Sequence, residues 1–144
     1  MERGNLYKKR DESLRERFGD VAEDYEEYRF TYPDILFEDI MLYSVTGKKA
    51  LEIGIGTGKA TPMFLKEGYE VIAVEPVKNM LEIAKRKFLS KSITFINSTF
   101  EDLELVDQYD LIYAASSFQW INGCDRLGKV YALLRKGGAF ARFK

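Results

Sequence analysis

Residues 50–58 read Ala-Leu-Glu-Ile-Gly-Ile-Gly-Thr-Gly, and this stretch decides the fold of the chain. An apolar run that contains one acid, Glu52, leads into three closely spaced glycines, Gly54, Gly56 and Gly58. A helical pattern follows directly. A buried strand that enters a glycine turn and then a helix is the opening unit of a nucleotide-binding α/β fold. Glycine suits such a turn because it adopts backbone angles that side chains forbid and lets the backbone approach a ligand closely.

The spacing of the glycines separates the ligands that such a turn can bind. A dinucleotide fingerprint, Gly-x-Gly-x-x-Gly, would need a third glycine where Lys59 or Thr61 stands. A phosphate-binding loop, Gly-x-x-x-x-Gly-Lys-Ser/Thr, would need a glycine at Ile53 and a hydroxyl at Ala60. The acid near the end of the strand, Glu52, would also repel phosphate and favour a cationic or hydroxyl-rich ligand. A glycine turn that binds nothing is the alternative on this stretch alone.

A second acid lies where a neighbouring parallel strand should end. Residues 69–74 form a short apolar run that stops at Glu75-Pro76. Glu75 follows the glycine turn at the distance of one helix and one strand. An acid at that point can accept hydrogen bonds from both ribose hydroxyls of an adenosine. Paired with the glycine turn, Glu75 favours an adenosine-containing ligand over a solvated strand end.

The remaining pattern alternates helices with short apolar strands. Helices are predicted over residues 34–45, 59–67, 77–89 and 125–134, and strands over residues 50–53, 69–74, 93–96, 109–115 and 139–143. This alternation predicts a Rossmann-like, doubly wound α/β fold. Since crossovers between parallel strands are right-handed, the strands should form a mostly parallel sheet in the order 3-2-1-4-5, with helices on both faces.

The totals of the chain suit one core and argue against several classes of partner. The 144 residues carry a net charge of −1 and no basic run follows one face, so nucleic acid is not expected as a partner. The N-terminus is charged, and neither a signal peptide nor a membrane-length apolar span is recognised, which predicts a cytoplasmic protein without a membrane partner. Cys124 is the one cysteine, so neither a disulfide framework nor a metal site is expected. Histidine is absent, so any proton transfer must use a carboxylate, Tyr, Lys or solvent.

These motifs together resemble the class I S-adenosylmethionine-dependent methyltransferases. Residues 52–58 are similar to motif I of that family, residues 74–80 to motif II, and residues 100–102 to the acidic motif after the third strand. The resemblance implies S-adenosylmethionine as the cofactor, with S-adenosylhomocysteine as its product, bound across the ends of the first two strands. The cofactor contacts that it implies are Tyr25, Arg29, Glu52, Gly54, Gly56, Thr57, Gly58, Glu75, Pro76, Met80, Phe100, Glu101 and Ser116.

The end of the fourth strand carries the residues expected to meet the substrate. Residues 116–120 read Ser-Ser-Phe-Gln-Trp and follow that strand at its carboxyl end, where α/β proteins place their chemistry. Gln119-Trp120 resembles the Gln-Trp pair of the trans-aconitate methyltransferase group, which implies a substrate pocket at these two residues. A core or interface anchor is the alternative for Trp120. No catalytic residue is identified from the sequence.

The chain is predicted to divide into an N-terminal helical arm, residues 1–33, and a cofactor-binding domain, residues 34–144. The arm is rich in charged and aromatic residues, and one interpretation is a helical segment that packs on the body of the protein. In the methyltransferase group that it resembles, this segment folds over the cofactor, which implies contacts from Tyr25 and Arg29. Both residue types suit the ligand, because aromatic faces attract a sulfonium cation and arginine pairs with a carboxylate.

The expected function is transfer of a methyl group from S-adenosylmethionine to a small-molecule substrate by in-line displacement. The alternative is a cofactor-binding module without catalysis, either a truncated form or a partner subunit; a nicotinamide oxidoreductase is a more distant one. Members of the family that it resembles continue past the position of Lys144 with a helix and two antiparallel strands, so the chain is expected to be truncated and to lack the last two strands, either as a fragment of a longer product or as a natural short form. The fifth strand would then be an exposed edge, through which two copies could pair as a homodimer.

Overall fold

The computed structural model describes residues 32–89, 92–121 and 125–144. Its elements in chain order are α1 (Asp34–Tyr43), β1 (Lys49–Ile53), α2 (Thr61–Lys66), β2 (Glu70–Val74), α3 (Lys78–Lys87), β3 (Ile93–Ile96), β4 (Tyr109–Ala115), a 3-10 helix (Phe118–Trp120), α4 (Arg126–Leu133) and β5 (Leu134–Phe143). The helices and strands predicted for residues 34–144 are all present, and their ends differ only slightly except at β5. The predicted arm lies outside the described ranges apart from Tyr32 and Pro33.

The five strands form one sheet in the order β3-β2-β1-β4-β5, and each neighbouring pair is parallel. The predicted Rossmann-like topology is therefore confirmed. The ladder between β4 and β5 is irregular, because Leu134 pairs with β4 and pairing then resumes at Ala139. Residues 135–138 bulge out in between, with Gly137 in a left-handed conformation (φ 84°). The sequence predicts that β5 starts at Ala139, and its regular pairing does start there. The pairing of Leu134 before the bulge moves the observed start of the strand to Leu134.

The sheet separates two hydrophobic cores. On one face α1, α2 and α3 pack through Phe37, Phe64 and Leu81. On the other face α4 packs through Val130 and Leu133. All seven residues of β4 are buried, and β1 is buried almost throughout. Continuous apolar strands are typical of a parallel sheet that is covered on both faces. The helices thereby hold the carboxyl ends of the strands in fixed relation to one another.

β3 and β5 form the two edges of the described sheet. On one face of β5, the Phe143 ring packs edge-to-face against Tyr32, with ring centroids 5.1 Å apart. On the other face, the Phe140 ring lies 5.1 Å from the ring of Phe118. Both aromatic side chains of β5 are therefore partly covered. The outer backbone edge of β5 pairs with no other strand of the described sheet.

Candidate cofactor site

A cavity of about 310 Å³ opens at the carboxyl ends of the strands. Residues that follow β1, β2, β3 and β4 line it, so it lies where doubly wound sheets bind their ligands. Its volume is at the lower end of the range for small-molecule sites. The lining includes most of the predicted site residues, namely Gly54, Gly56, Glu75, Pro76, Met80, Phe100, Glu101, Ser116 and Gln119. The fold thus brings residues from four separate loops to one place.

The glycine turn after β1 forms one wall of the cavity. Gly54, Gly56 and Gly58 have positive φ angles of 69°, 58° and 91°, which residues with a side chain rarely adopt. A Cβ atom on Gly54 would lie 2.6 Å from the Cβ of Ser117, and one on Gly58 would collide with the ring of Phe88. The backbone conformation therefore disfavours side chains at all three positions, and close packing also excludes one at Gly54 and at Gly58.

Glu75 joins the end of β2 to the glycine turn. Its Oε1 accepts from the Gly56 N–H (2.8 Å), and its Oε2 accepts from the Val77 N–H (2.8 Å). Glu75 is 5% exposed and forms part of the cavity lining. These two backbone bonds fix the orientation of the carboxylate, and its place in the cavity lining puts it within reach of a ligand. The geometry suits a ligand that presents hydroxyl groups at the end of β2.

Glu52 lies behind the glycine turn rather than in the cavity wall. It is 1% exposed, and its carboxylate accepts from the hydroxyls of Thr61 (2.6 Å) and Tyr113 (3.0 Å). Burial raises the pKa of Tyr113 well above its usual value, and the Glu52 carboxylate raises it further, so the phenol stays protonated and donates. Glu52, Thr57 and Gly58 are not among the described residues that line the cavity. Their predicted contacts with a cofactor stay predictions.

Ser116 closes the cavity at the end of β4 in an unusual conformation. Its φ of 58° is rare for a residue with a side chain, and such strain is often retained at functional sites. Its N–H donates to the Phe143 carbonyl (2.7 Å), its carbonyl accepts from the Gln119 amide (3.0 Å), and its hydroxyl bonds to the Tyr32 hydroxyl (2.7 Å). Tyr32 was not among the predicted site residues, because no sequence signal links positions that are 84 residues apart.

The loop after β3 is held by a lysine from α4. The Lys129 ammonium donates to the carbonyls of Phe100, Glu101 (3.2 Å) and Leu103 (2.7 Å). It also lies 5.0 Å from the centre of the Phe100 ring. Sequence reasoning missed Lys129, since it belongs to no motif and backbone carbonyls carry no residue-type signal.

The charges of the cavity are negative. Glu75 and Glu101 are the charged side chains of the described lining, which contains no Lys or Arg. A phosphate or pyrophosphate group would therefore lie beside two carboxylates without a positive side chain to neutralise it. An uncharged or cationic ligand avoids this repulsion. The electrostatics thus agree with the glycine spacing in disfavouring a dinucleotide.

Some predicted contacts lie outside the described residues. Tyr25 and Arg29 belong to residues 1–31, and the side chain of Trp120 is likewise not described, although its backbone ends the 3-10 helix. Within the described ranges, no cluster of three or more His, Cys, Asp or Glu residues is placed to hold a metal ion. No helix in that part of the chain is long and apolar enough to span a bilayer.

Comparison with known proteins identifies the family. Residues 50–138 match the family model described as a methyltransferase domain. The chain is 37% identical over 126 residues to the Probable S-adenosylmethionine-dependent methyltransferase CRG1 of Saccharomyces cerevisiae, which covers 81% of this chain and 43% of the yeast protein. It is 30% identical over 133 residues to the malonyl-(acyl-carrier protein) O-methyltransferase of Priestia megaterium, which covers 88% of this chain and 48% of that protein. The protein belongs to the methyltransferase-domain family.

A solved structure shares the same fold. The CcbJ methyltransferase from Streptomyces caelestis superimposes with a TM-score of 0.67 at 25% identity, covering 83% of this chain and 53% of that chain. The resemblance to class I S-adenosylmethionine-dependent methyltransferases is thus confirmed at the level of the family. The chain spans about half the length of the curated relatives it matches.

Proposed function

We propose that the protein is a methyltransferase that uses S-adenosylmethionine to methylate a small molecule. The position of Glu75 carries this proposal, because a buried carboxylate is fixed at the end of β2 in a cavity whose described lining has no positive side chain. Such a site favours a ligand that combines hydroxyl donors with a positive charge, and S-adenosylmethionine has both. The family membership of the chain supports the same function.

The residues of the cavity fit that cofactor. Glu75 would accept from the ribose hydroxyls. Pro76 and Met80, next to it in the lining, offer apolar surface for a flat adenine base, and Glu101 offers an acceptor for the amino group of the base. The glycine turn would let the backbone approach the amino-acid end of the cofactor. Bound in this way, S-adenosylmethionine supplies a methyl group that its positive sulfur already activates.

The other predicted contacts remain part of the proposal. Tyr25 and Arg29 would contact the cofactor from the arm, residues 1–33. Hydrogen exchange of the backbone amides in this arm should then become slower when the cofactor is added. Glu52 would act indirectly, since it holds Thr61 at the start of α2. Thr57 and Gly58 would act through the backbone shape of the turn.

We propose a carboxylate as the methyl acceptor. A carboxylate is deprotonated at neutral pH, so the O–CH3 bond can form as the S–CH3 bond breaks without any proton transfer, which suits a chain without histidine. The Priestia megaterium relative acts, by its name, on a malonyl group. The residues of the site would then only have to orient the acceptor and exclude water. Ser116 and Gln119 are polar residues of the β4 end that would orient it.

Three finer expectations accompany this proposal. They are membership of the trans-aconitate methyltransferase group, a cytoplasmic location, and a homodimer that pairs through β5. The Gln119-Trp120 pair supports the first, and the position of β5 at the edge of the described sheet supports the third. A cofactor-binding module without catalysis is not favoured, because the relatives are methyltransferases.

Cofactor binding is the first test of the proposal. Isothermal titration calorimetry should detect the binding of S-adenosylmethionine and of S-adenosylhomocysteine but no binding of NAD. Glu75→Gln should lower the affinity for S-adenosylhomocysteine about ten- to a hundredfold, because charged hydrogen bonds are worth about 1.5–3 kcal/mol each. Glu70→Gln is the matched control, since Glu70 is an exposed acid at the other end of the same strand and should not affect binding. A folded protein that binds neither form of the cofactor would refute the proposed function.

Turnover is the second test. The protein is incubated with methyl-labelled S-adenosylmethionine and with trans-aconitate, a malonyl thioester, a catechol or an alkylamine. We expect label in base-labile methyl esters of the carboxylates. Transfer to the catechol or amine alone would refute a carboxylate acceptor. Tight cofactor binding without transfer to any of the four would support the non-catalytic module instead.

A further inference from the structure

We propose that Lys129 positions the wall of the cavity that recognises the base of the cofactor. The proposal rests on the function proposed above and gives a role to a residue outside the cavity lining. Lys129 lies on α4, whereas the wall belongs to the loop between β3 and β4. Lys129 is therefore a positioning residue, which acts through the loop that it holds.

The donors of Lys129 converge on this loop. A lysine ammonium has three N–H donors and no acceptor. The carbonyls of Phe100, Glu101 and Leu103 all lie within hydrogen-bonding distance of its Nζ. The Phe100 ring lies 5.0 Å away, close enough for a cation–π contact. One side chain thus holds a single short loop through four contacts.

The loop depends on this cation for its shape. Three carbonyl oxygens that face the same point repel one another unless a positive group lies between them. Phe100 and Leu103 are buried, so oxygens deprived of Lys129 would lose a partner in a place with little water. The one backbone bond within the turn, from the Leu103 N–H to the Phe100 carbonyl, is long at 3.3 Å. The Asp102 N–H also donates to the Thr99 hydroxyl oxygen (3.1 Å), so these two local bonds hold the turn together with the three from Lys129.

The same loop supplies part of the cavity wall, through Ser98, Thr99, Phe100 and Glu101. The described chain has no cis peptide bond, so the Glu101 N–H points away from the Phe100 carbonyl that Lys129 binds. Lys129 also binds the carbonyl of Glu101 itself, so a change at Lys129 would shift the peptide groups on both sides of Glu101, and with them its N–H and its side chain, relative to the end of β2.

Recognition of the base then depends on Lys129. Adenine presents an amino group where hypoxanthine presents a carbonyl oxygen. A carboxylate at Glu101 accepts from the amino group and repels the carbonyl oxygen. A site built to hydrogen-bond one group rejects an analogue that leaves its own polar atoms unpaired. The preference for adenine should therefore fall when Glu101 is displaced.

Ligand discrimination separates this role from a merely structural one. We would measure the affinities of S-adenosylhomocysteine and S-inosylhomocysteine for the wild type, Lys129→Met and Lys129→Arg. The wild type should prefer the adenine ligand about tenfold or more. Lys129→Met should lower that preference to about twofold, and Lys129→Arg, which keeps the charge and the donors, should restore most of it. Lys85→Met is the control, since Lys85 forms a surface pair with Glu82, and it should behave as the wild type.

Two results would overturn the inference. An unchanged preference in Lys129→Met, with both affinities reduced alike, would show that Lys129 only stabilises the fold. If the wild type bound both ligands with equal affinity, the loop would not discriminate between adenine and hypoxanthine. If Lys129→Met does not fold, Lys129→Gln is judged by the same preference. Failure of the wild type to bind S-adenosylhomocysteine would instead refute the proposed function.

Discussion

Two buried carboxylates at opposite ends of the sheet are held in similar ways but differ in their surroundings. At the carboxyl end, Glu75 accepts from two backbone N–H groups and borders the cavity. At the amino end, Asp110 of β4 accepts from the Thr46 hydroxyl (2.6 Å) and the Lys49 N–H (3.0 Å). It also forms an ion pair with Arg135 (3.3 Å), and it is not part of the described cavity lining.

The two carboxylates differ in what stabilises their charge. Burial would raise the pKa of Asp110, but the bonds from Thr46 and Lys49 and the charge of Arg135 outweigh burial and lower it. Groups of the protein itself therefore stabilise the ionised form of Asp110. Glu75 borders a cavity, so a ligand can add to its interactions. We infer that the amino end of the sheet contributes mainly to stability and the carboxyl end mainly to binding.

The largest effect is expected from Asp110→Ala. This change removes a charged acceptor from two part-buried donors, so the free energy of unfolding should fall by about 2–3 kcal/mol. The affinity for S-adenosylhomocysteine should change less than about twofold, because the site lies at the other end of the sheet. Urea unfolding and calorimetry measure the two quantities.

Asp107→Ala is the matched control for that prediction. Asp107 is 63% exposed and pairs with the Lys49 ammonium at 3.0 Å, and an exposed pair contributes only about 0–1 kcal/mol. If folded Asp110→Ala lost its affinity for the cofactor, the separation between the two ends would be wrong.

A pair of glycines gives the next largest effect. Gly54 (φ 69°) lies at the carboxyl end and Gly137 (φ 84°) at the amino end. Gly54→Ala and Gly137→Ala should each lower the free energy of unfolding by about 1–2 kcal/mol, because alanine resists positive φ. Only Gly54→Ala should also weaken the binding of S-adenosylhomocysteine, by about tenfold or more, since the new alanine Cβ would lie 2.6 Å from the Cβ of Ser117. Equal losses of affinity in both variants would contradict the comparison.

The pH dependence of the unfolding free energy at acidic pH tests whether the charge of Asp110 stabilises the fold. The folded-state pKa of Asp110 lies below its ordinary value of 3.8. Its contribution is therefore fully present above that value and is lost as the pH falls through the folded-state pKa. The difference in unfolding free energy between the wild type and Asp110→Asn should be constant from pH 7 to about pH 5 and should shrink below about pH 4. A difference that stays constant at acidic pH would mean that the charge of Asp110 does not stabilise the fold.

Much of the fold was predictable from the sequence because its signals are local. β1 and β4 are mostly apolar, as is typical of buried parallel strands, and β4 has the predicted bounds. The glycine turn was recognisable because three positive φ angles restrict those positions to one residue type. The bulge of residues 135–138 was not predictable, since it depends on how β5 meets β4.

The site was less predictable where its contacts are long-range. The motif marked Glu52 as an acid near the turn, but it could not reveal that Thr61 and Tyr113 surround its carboxylate. Lys129 holds backbone carbonyls, and Tyr32 meets Ser116 through a single hydroxyl pair. Neither interaction restricts the residue types of its partners in a pattern that one sequence can show.

The edge strand β5 gives the smallest expected effect, because it runs between the two ends of the sheet without lining the cavity. The Phe143 carbonyl accepts from the Ser116 N–H, so Phe143 turns its peptide groups towards β4 and Arg142 turns its N–H outwards. Two such edges can pair about a twofold axis.

Light scattering at micromolar concentration should detect a dimer, and Arg142→Pro, which removes one outward N–H, should shift it towards monomer. Arg142→Glu keeps that N–H and controls for the lost side chain. Cofactor affinity should be unchanged in both variants. A wild-type monomer, or a dimer that Arg142→Pro leaves intact, would refute pairing through β5. A loss of affinity on dissociation would show that the two copies share the site, and the carboxyl end would then not bind alone.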